Sequence, residues 1–225
     1  MKKRTPLSER VLPDYTRGEE ICNMVTHIVG GALGILAVVL CAIFGARHHN
    51  AYAVVSGCIY GASTILLYAI SSIYHGLSPR LTAKKVFQVL DHCSIFILIA
   101  GTYTPFCLVT IRQSTPAMGW VLFGVVWALA ALGITLNAID LKKYDRFSMV
   151  CYLLMGWCIV IRIREIYQLL GITGFMLLLL GGIAYTLGAV LYGLGKTRRY
   201  MHSAFHVFTV IASVLHFLCI ILYVM

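Results

Sequence analysis

Charge is what this sequence has least of. Only 12% of its 225 residues are Asp, Glu, Lys or Arg, roughly half the share of an ordinary soluble domain, while 60% are hydrophobic and the mean hydropathy is +0.88. Water is thereby excluded as the solvent for most of the surface. Acidic residues are the scarcest, 8 against 18 basic ones, for a formal charge of +10. The 8 cysteines stand singly, mostly inside apolar stretches, with no C-x-x-C pair. They read as small buried hydrophobes rather than a redox or metal motif. No internal repeat and no low-complexity tract occurs. The polar connections are brief, which excludes an inserted soluble domain and leaves any chemistry to the apolar body.

What is present is apolar sequence in runs of about 20 residues, the length that crosses a bilayer core. Seven are read, near 22–46, 51–75, 88–111, 117–139, 147–165, 168–194 and 200–225. The predicted fold is all-α, a polytopic seven-transmembrane-helix bundle occupying 21–225. Residues 1–20, polar and carrying Pro6 and Pro13, form a short arm before it. The first run is too long for a signal-peptide core of about 7–15 residues. Arg162, Arg164 and Glu165 crowd the end of the fifth run, and merging it with the sixth gives a six-span alternative. With seven spans, every basic residue except Arg47, Arg112, Arg162 and Arg164 falls on one side. The positive-inside bias makes that side cytoplasmic, with the N-terminus inside and the C-terminus outside. The net positive charge is thus accounted for without a nucleic-acid partner. Gly30-x-x-x-Gly34 and the small residues around Gly181, Gly182 and Gly188 read as close helix packing, and Pro105 should kink the third span.

Ionisable groups inside spans are costly and mark function by default. The short roster is His27, Ser71, His75, Asp91, His92, His202, His206 and His216. Span 2 ends where spans 3 and 7 begin, so Ser71, His75, Asp91, His202 and His206 share one depth. His202 and His206 are one helical turn apart on one face, and His75 could add a third imidazole. Three neutral imidazoles with a fourth position open suit a catalytic zinc ion, whose bound water is acidified towards a pKa of about 7. Asp91 then either deprotonates or orients that water, or holds an imidazole in its ligating tautomer. Alternatively it is only a helix cap. Ser71, one turn before His75, could donate to a ligand, the water or a substrate carbonyl, or simply bond to its own helix. His216 lies about 15 Å beyond His206 along a helix and cannot join both histidines of span 7 on one ion.

Ser71-x-x-x-His75, Asp91 after a short basic loop and His202-x-x-x-His206 in the last span resemble the hemolysin III family, the bacterial branch of the progestin and adiponectin receptor family. Glu19-Glu20, Asn23, Thr26-His27 and Gly101-Thr-Tyr-Thr-Pro105 extend the resemblance over nearly the whole chain. It implies a seven-helix bundle in the bacterial inner membrane, with Zn²⁺ held by His75, His202 and His206 and a water linked to Asp91. It also implies kinship with alkaline ceramidases and a part in membrane lipid balance. The long N-terminal extension of the animal receptors is missing, which weakens any carry-over of hormone binding.

Three functions are expected on these grounds. The first is a zinc-dependent hydrolase of a lipid amide or ester, with Asp91 and Ser71 catalytic and an acyl chain held in the bundle cavity. The second is a lipid or membrane-state sensor whose zinc is structural. The third, a hemolysin-like pore former, is disfavoured by the lack of a charged lumen stripe. A retinal pump is set aside because no lysine occurs between His202 and Met225. Membrane lipids are the expected partners; the sequence names no protein partner.

Overall fold

A computed structural model describes residues 5–225; Lys2, Lys3 and Arg4, which contribute to the charge sorting, lie outside the described residues. Helices alone build the described chain. Helix α1 (Arg17–Arg47) begins at a capping box. The Thr16 hydroxyl accepts from the Glu19 amide, and the Glu19 carboxylate accepts from the Thr16 amide. Asn50 caps α2 (Ala51–Gly76) by accepting from the Ala53 amide. Helix α3 (Thr82–Pro105) starts six residues before the apolar run that reveals it in the sequence. Proline has no amide hydrogen to continue the ladder, and directly after Pro105 the chain widens into a π-helical stretch, Phe106–Ile111. The expected disturbance therefore takes the form of a change in helical register. A single turn, α4 (Arg112–Ser114), leads to α5 (Pro116–Trp157). A 3₁₀ stretch, Cys158–Arg162, then leads to α6 (Ile163–Leu194), and α7 (Met201–Tyr223) completes the chain.

Five helical stretches are long and apolar enough to cross a membrane, and one of them, Pro116–Leu194, is 79 residues long. Two interior residues leave helical geometry, Asp140 in α5 (φ −158°, ψ 95°) and Gly171 in α6 (φ 67°, ψ 178°). Hydrogen bonds reveal what happens there. Asn137 donates to the Tyr152 hydroxyl at 3.3 Å, although fifteen residues of unbroken helix would hold them about 22 Å apart. Trp157 donates to Thr186 at 3.0 Å, where an unbroken helix would separate them by about 43 Å. The chain doubles back at both breaks, so 116–139, 141–170 and 172–194 lie side by side. Asp140 also caps the second of these lengths, accepting from the Lys143 amide at 3.2 Å and, from the N-terminal arm, the Thr5 amide at 2.9 Å.

Helix α1 is inside out relative to a helix of a soluble protein. In α1 the buried positions are Glu19, Asn23, His27, Gly30, Gly34, Ala37, Cys41 and Gly45, recurring every three or four residues. The exposed ones include Ile28, Val29, Ile35, Leu36 and Val39. Polar groups and small residues face the bundle and branched aliphatics face outward, as hydrocarbon solvent requires. A Cβ on Gly30 would meet the Tyr68 ring at 2.5 Å and one on Gly34 the Ile65 backbone at 2.8 Å. Close packing of α1 on α2 depends on both. The starts of α1, α3 and α7 and the end of α2 meet at one end of the bundle, linked by bonds between Glu20 and His75, Glu20 and Lys84, and Glu19 and Tyr200.

Gly171 sits in a backbone region open essentially to glycine, with free space where a Cβ would go. Gly171→Ala is expected to destabilise the protein by about 1–3 kcal/mol through backbone strain alone. Gly124→Ala, at an equally open but helical site, should be neutral or slightly stabilising. Thermal melting of both variants in detergent checks this; equal melting temperatures would contradict it.

Candidate metal centre

Three imidazoles converge at that end. His75, His202 and His206 are 3%, 6% and 1% exposed and can each offer a ligand atom, all within 4.8 Å of one another. His202 and His206, one turn apart on α7, face each other with their Nε2 atoms 3.0 Å apart. His75, in the last turn of α2, brings its ring centroid to 4.8 Å from that of His206 and 5.5 Å from that of His202.

The orientation of His75 comes from Glu20 on α1, whose Oε2 lies 2.6 Å from Nδ1. An ionised carboxylate only accepts, so the ring proton is assigned to Nδ1 and the Nε2 lone pair is left for another partner. Among the described residues Nε2 has no partner, and it is buried. Glu20 is held in turn. Its Oε1 accepts from Lys84 Nζ at 2.7 Å, and the same ammonium donates to the Leu77 carbonyl at 2.9 Å. Lys84 is itself fully enclosed, and its ammonium stands 5.0 Å from the Tyr74 ring centre.

This donor set fits a divalent metal ion on three grounds. Two nitrogens bound to one tetrahedral zinc stand about 3.3 Å apart, close to the His202–His206 separation. The orphaned His75 lone pair needs an electrophile. A carboxylate behind a ligating imidazole is the usual device for presenting the opposite nitrogen. The three histidines could therefore hold a metal.

Asp91 stands outside the trio. Its half-buried carboxylate lies 3.9 Å from His92 Nδ1 and lines a cavity of about 140 Å³ together with Ser71, His27 and His206. Because α3 starts at Thr82, Asp91 lies in its third turn, and the reading of it as a helix cap is excluded. Ser71 is buried with a hydroxyl that has no partner among the described residues, whereas neighbouring Ser72 donates to the Tyr68 carbonyl at 2.7 Å. The cavity continues away from the histidines between largely apolar walls, among them Leu98, Ile99, Leu153 and Trp157, as far as His216. There His216 Nε2 donates to the Leu178 carbonyl at 3.2 Å. His92 is satisfied by the Gln88 carbonyl and the Tyr192 hydroxyl. His48 bonds to the Met225 carbonyl at the other end of the molecule.

The N-terminal arm closes the histidine end. Tyr15 stacks on His202, with ring centres 4.8 Å apart and planes 20° apart, and burial pushes its phenol well above its ordinary pKa, so it is a neutral hydroxyl at physiological pH. Arg199 donates to Asp14, and the Tyr200 amide donates to Glu19 at 2.7 Å. Sequence reasoning missed Glu20 and Lys84 as parts of the site. Glu20, Asn23 and His27 recur at helical spacing and could have suggested a shared inward face. Lys84 carries no such signal, since it reads as one cation of a basic loop.

Comparisons with known proteins give the family. A family model described as "Haemolysin-III related" matches residues 15–217. Hemolysin-3 of Bacillus cereus is 39% identical over 208 residues, covering 92% of each chain. The Hemolysin-3 homolog of Bacillus subtilis (strain 168) is 37% identical over 209 residues, covering 93% of this chain and 96% of its own. The human monocyte to macrophage differentiation factor is 25% identical over 227 residues, covering 98% of this chain and 90% of its own. Matched from Tyr15 in the arm to Phe217 in α7 and aligned nearly end to end with both Bacillus proteins, this helical membrane protein belongs to the hemolysin III family.

Proposed function

We propose that the chain is a zinc-dependent hydrolase of the bacterial inner membrane, acting on a lipid amide or ester. The observation that carries the reading is the buried trio His75, His202 and His206, whose potential ligand atoms lie within 4.8 Å of one another, with His75 Nε2 unpartnered among the described residues and His206 in the wall of a largely apolar cavity. Bound by His75, His202 and His206, zinc would supply Lewis acidity and a water acidified to about pKa 7. The rest of the work falls to side chains. Glu20 keeps the His75 proton on Nδ1. Asp91 accepts a proton from the attacking water and returns it to the leaving group. Ser71 donates to the acyl carbonyl oxygen as negative charge develops there. The apolar cavity walls bind the chain, so membrane lipids are the substrates and partners.

The reading includes seven crossings. A continuous helix of 79 residues would be about 120 Å long, four times a bilayer core. The reversals at Asp140 and Gly171 divide it into three lengths suited to one crossing each. The clustering of basic residues supports an orientation with the histidine end and the N-terminus in the cytoplasm and the C-terminus outside. A periplasm-dependent alkaline phosphatase fused after Met225 is expected to be active and a fluorescent protein there dark; the reverse pattern contradicts the orientation.

A second reading is favoured by Tyr15, which lies across His202 and narrows access from the arm side. In it the metal is structural and the protein senses lipid or membrane state without turnover. A pore former is suggested by the names of the Bacillus relatives, but a cavity with mostly apolar walls is poorly suited to passing ions. Turnover of a lipid amide by purified protein separates the readings. The hydrolase predicts that activity is lost on chelation and falls at least a hundredfold in Asp91→Asn; activity indifferent to both contradicts it.

The Glu20 bridge is expected to be felt in metal affinity. Glu20→Gln should weaken zinc retention 10–100-fold in a chelator competition. Lys84→Met should destabilise the fold by about 3 kcal/mol by leaving a carboxylate unpaired, and the double variant should recover most of that loss. Additive losses would contradict the coupling.

A further inference from the structure

We propose that His27 is a ligand-contacting residue, which hydrogen-bonds the polar head of an acyl lipid lying in the cavity beside His206. The inference rests on the hydrolase reading for its substrate class and goes beyond it in assigning a residue and a head-group chemistry.

His27 stands one turn after Asn23 on the inward face of α1 and is 3% exposed. Its ring lies nearly parallel to that of His206, with centres 3.8 Å apart and planes 25° apart, and meets the Tyr68 ring edge-on at 4.9 Å. Both contacts are through ring faces and edges, and among the described residues neither nitrogen has a hydrogen-bond partner. The nearby hydroxyl cannot serve, because Tyr68 is committed to Ser213 at 2.7 Å and to the Thr209 carbonyl at 3.2 Å. His27 also lies outside the trio able to share one metal. It is instead part of the cavity wall, as is Ser71, whose hydroxyl is equally unpartnered.

An apolar ring would pack in this place as well as an imidazole, and burying two unpaired ring nitrogens costs free energy. A histidine is useful here if something entering the cavity pairs with it. A neutral imidazole offers one donor and one acceptor. Its full complement is therefore a head with both an acceptor and a donor, as in an acyl amide or a hydroxylated acyl group. A simple ester has acceptors only and leaves the ring lone pair unmatched. Such a head would lie beside the ring of a metal-ligand candidate, within reach of the wall that carries Ser71 and Asp91. On this account His27 favours amide over ester lipids.

The experiment measures binding of dodecanamide and methyl dodecanoate to full-length, metal-loaded protein in detergent, for wild type, His27→Phe and His27→Leu. Metal content and the melting temperature of the ligand-free protein are measured alongside. Wild type is expected to bind the amide about tenfold more tightly than the ester. His27→Phe should lose that preference through weaker amide binding, with metal content unchanged and the ligand-free melting temperature equal or higher. His27→Leu carries the same expectation should the larger ring prevent accumulation. Amide binding equal to wild type in a folded variant overturns the proposal, as does a variant that loses its metal or melts lower, since His27 would then be a metal-site or structural residue. Wild type purified without metal would instead count against the hydrolase reading, and the same binding comparison on metal-free protein would still decide the role of His27.

Discussion

The Glu20 carboxylate is where the separate parts of this molecule are joined. One oxygen takes the proton of His75 at the end of α2 and the other takes Lys84 at the start of α3, while the carboxylate itself stands on α1. The enclosed Lys84 ammonium would be costly alone in a low-dielectric interior, and the half-buried Glu20 carboxylate offsets it. Together they hold each other and the imidazole in one geometry. Glu19, the neighbouring residue, takes the amide of Tyr200 and so registers the start of α7 against the same turn of α1. Two consecutive acids thereby fix the ends of three helices relative to the first, and the histidine trio is a consequence of that registration.

The solvent explains why the polar groups are gathered in this way. In hydrocarbon a helix gains nothing by hiding leucines, so α1 turns its aliphatics outward and brings to the bundle the groups that need partners or close contact. Gly30 and Gly34 let α2 approach, and that approach carries Ser71 and His75 to the face of α1 occupied by Asn23 and His27. Of the eleven buried polar side-chain atoms left unpaired among the described residues, six lie on the trio and its neighbours, Asn23 Oδ1, both nitrogens of His27, Ser71 Oγ, His75 Nε2 and His206 Nδ1, and the others on Arg10, Thr110, Ser203 and His216. A buried polar atom left without a partner costs stability. A site that binds a metal and a polar head group would account for the concentration at one place.

Much of this was legible in the sequence because hydrophobicity and helical spacing act locally. The apolar runs located the helices, and the depth argument brought His75, His202 and His206 together from helices far apart in sequence. That argument needs only an even number of passes between the starts of α1 and α7, and the reversals at Asp140 and Gly171, occurring as a pair, preserve it. The beginning of α3 was not legible, since Thr82–Val86 is a polar, basic stretch that reads as loop, and the cap interpretation of Asp91 failed for that reason. Glu20, Lys84 and the stack of His27 on His206 were hidden because each depends on which residues from other helices surround it. Composition says that a buried lysine is rare; only the end of α2, through Tyr74 and the Leu77 carbonyl, together with Glu20 of α1 makes Lys84 one.

The central claim is that the three imidazoles hold a zinc ion through nitrogen alone. Zinc-edge X-ray absorption on protein purified without chelators tests it most directly. The account predicts one zinc per chain, nitrogen or oxygen donors at about 2.0–2.1 Å with imidazole scattering, and no sulfur near 2.3 Å. Protein that carries no stoichiometric zinc and takes none up, or zinc bound through sulfur, would contradict it.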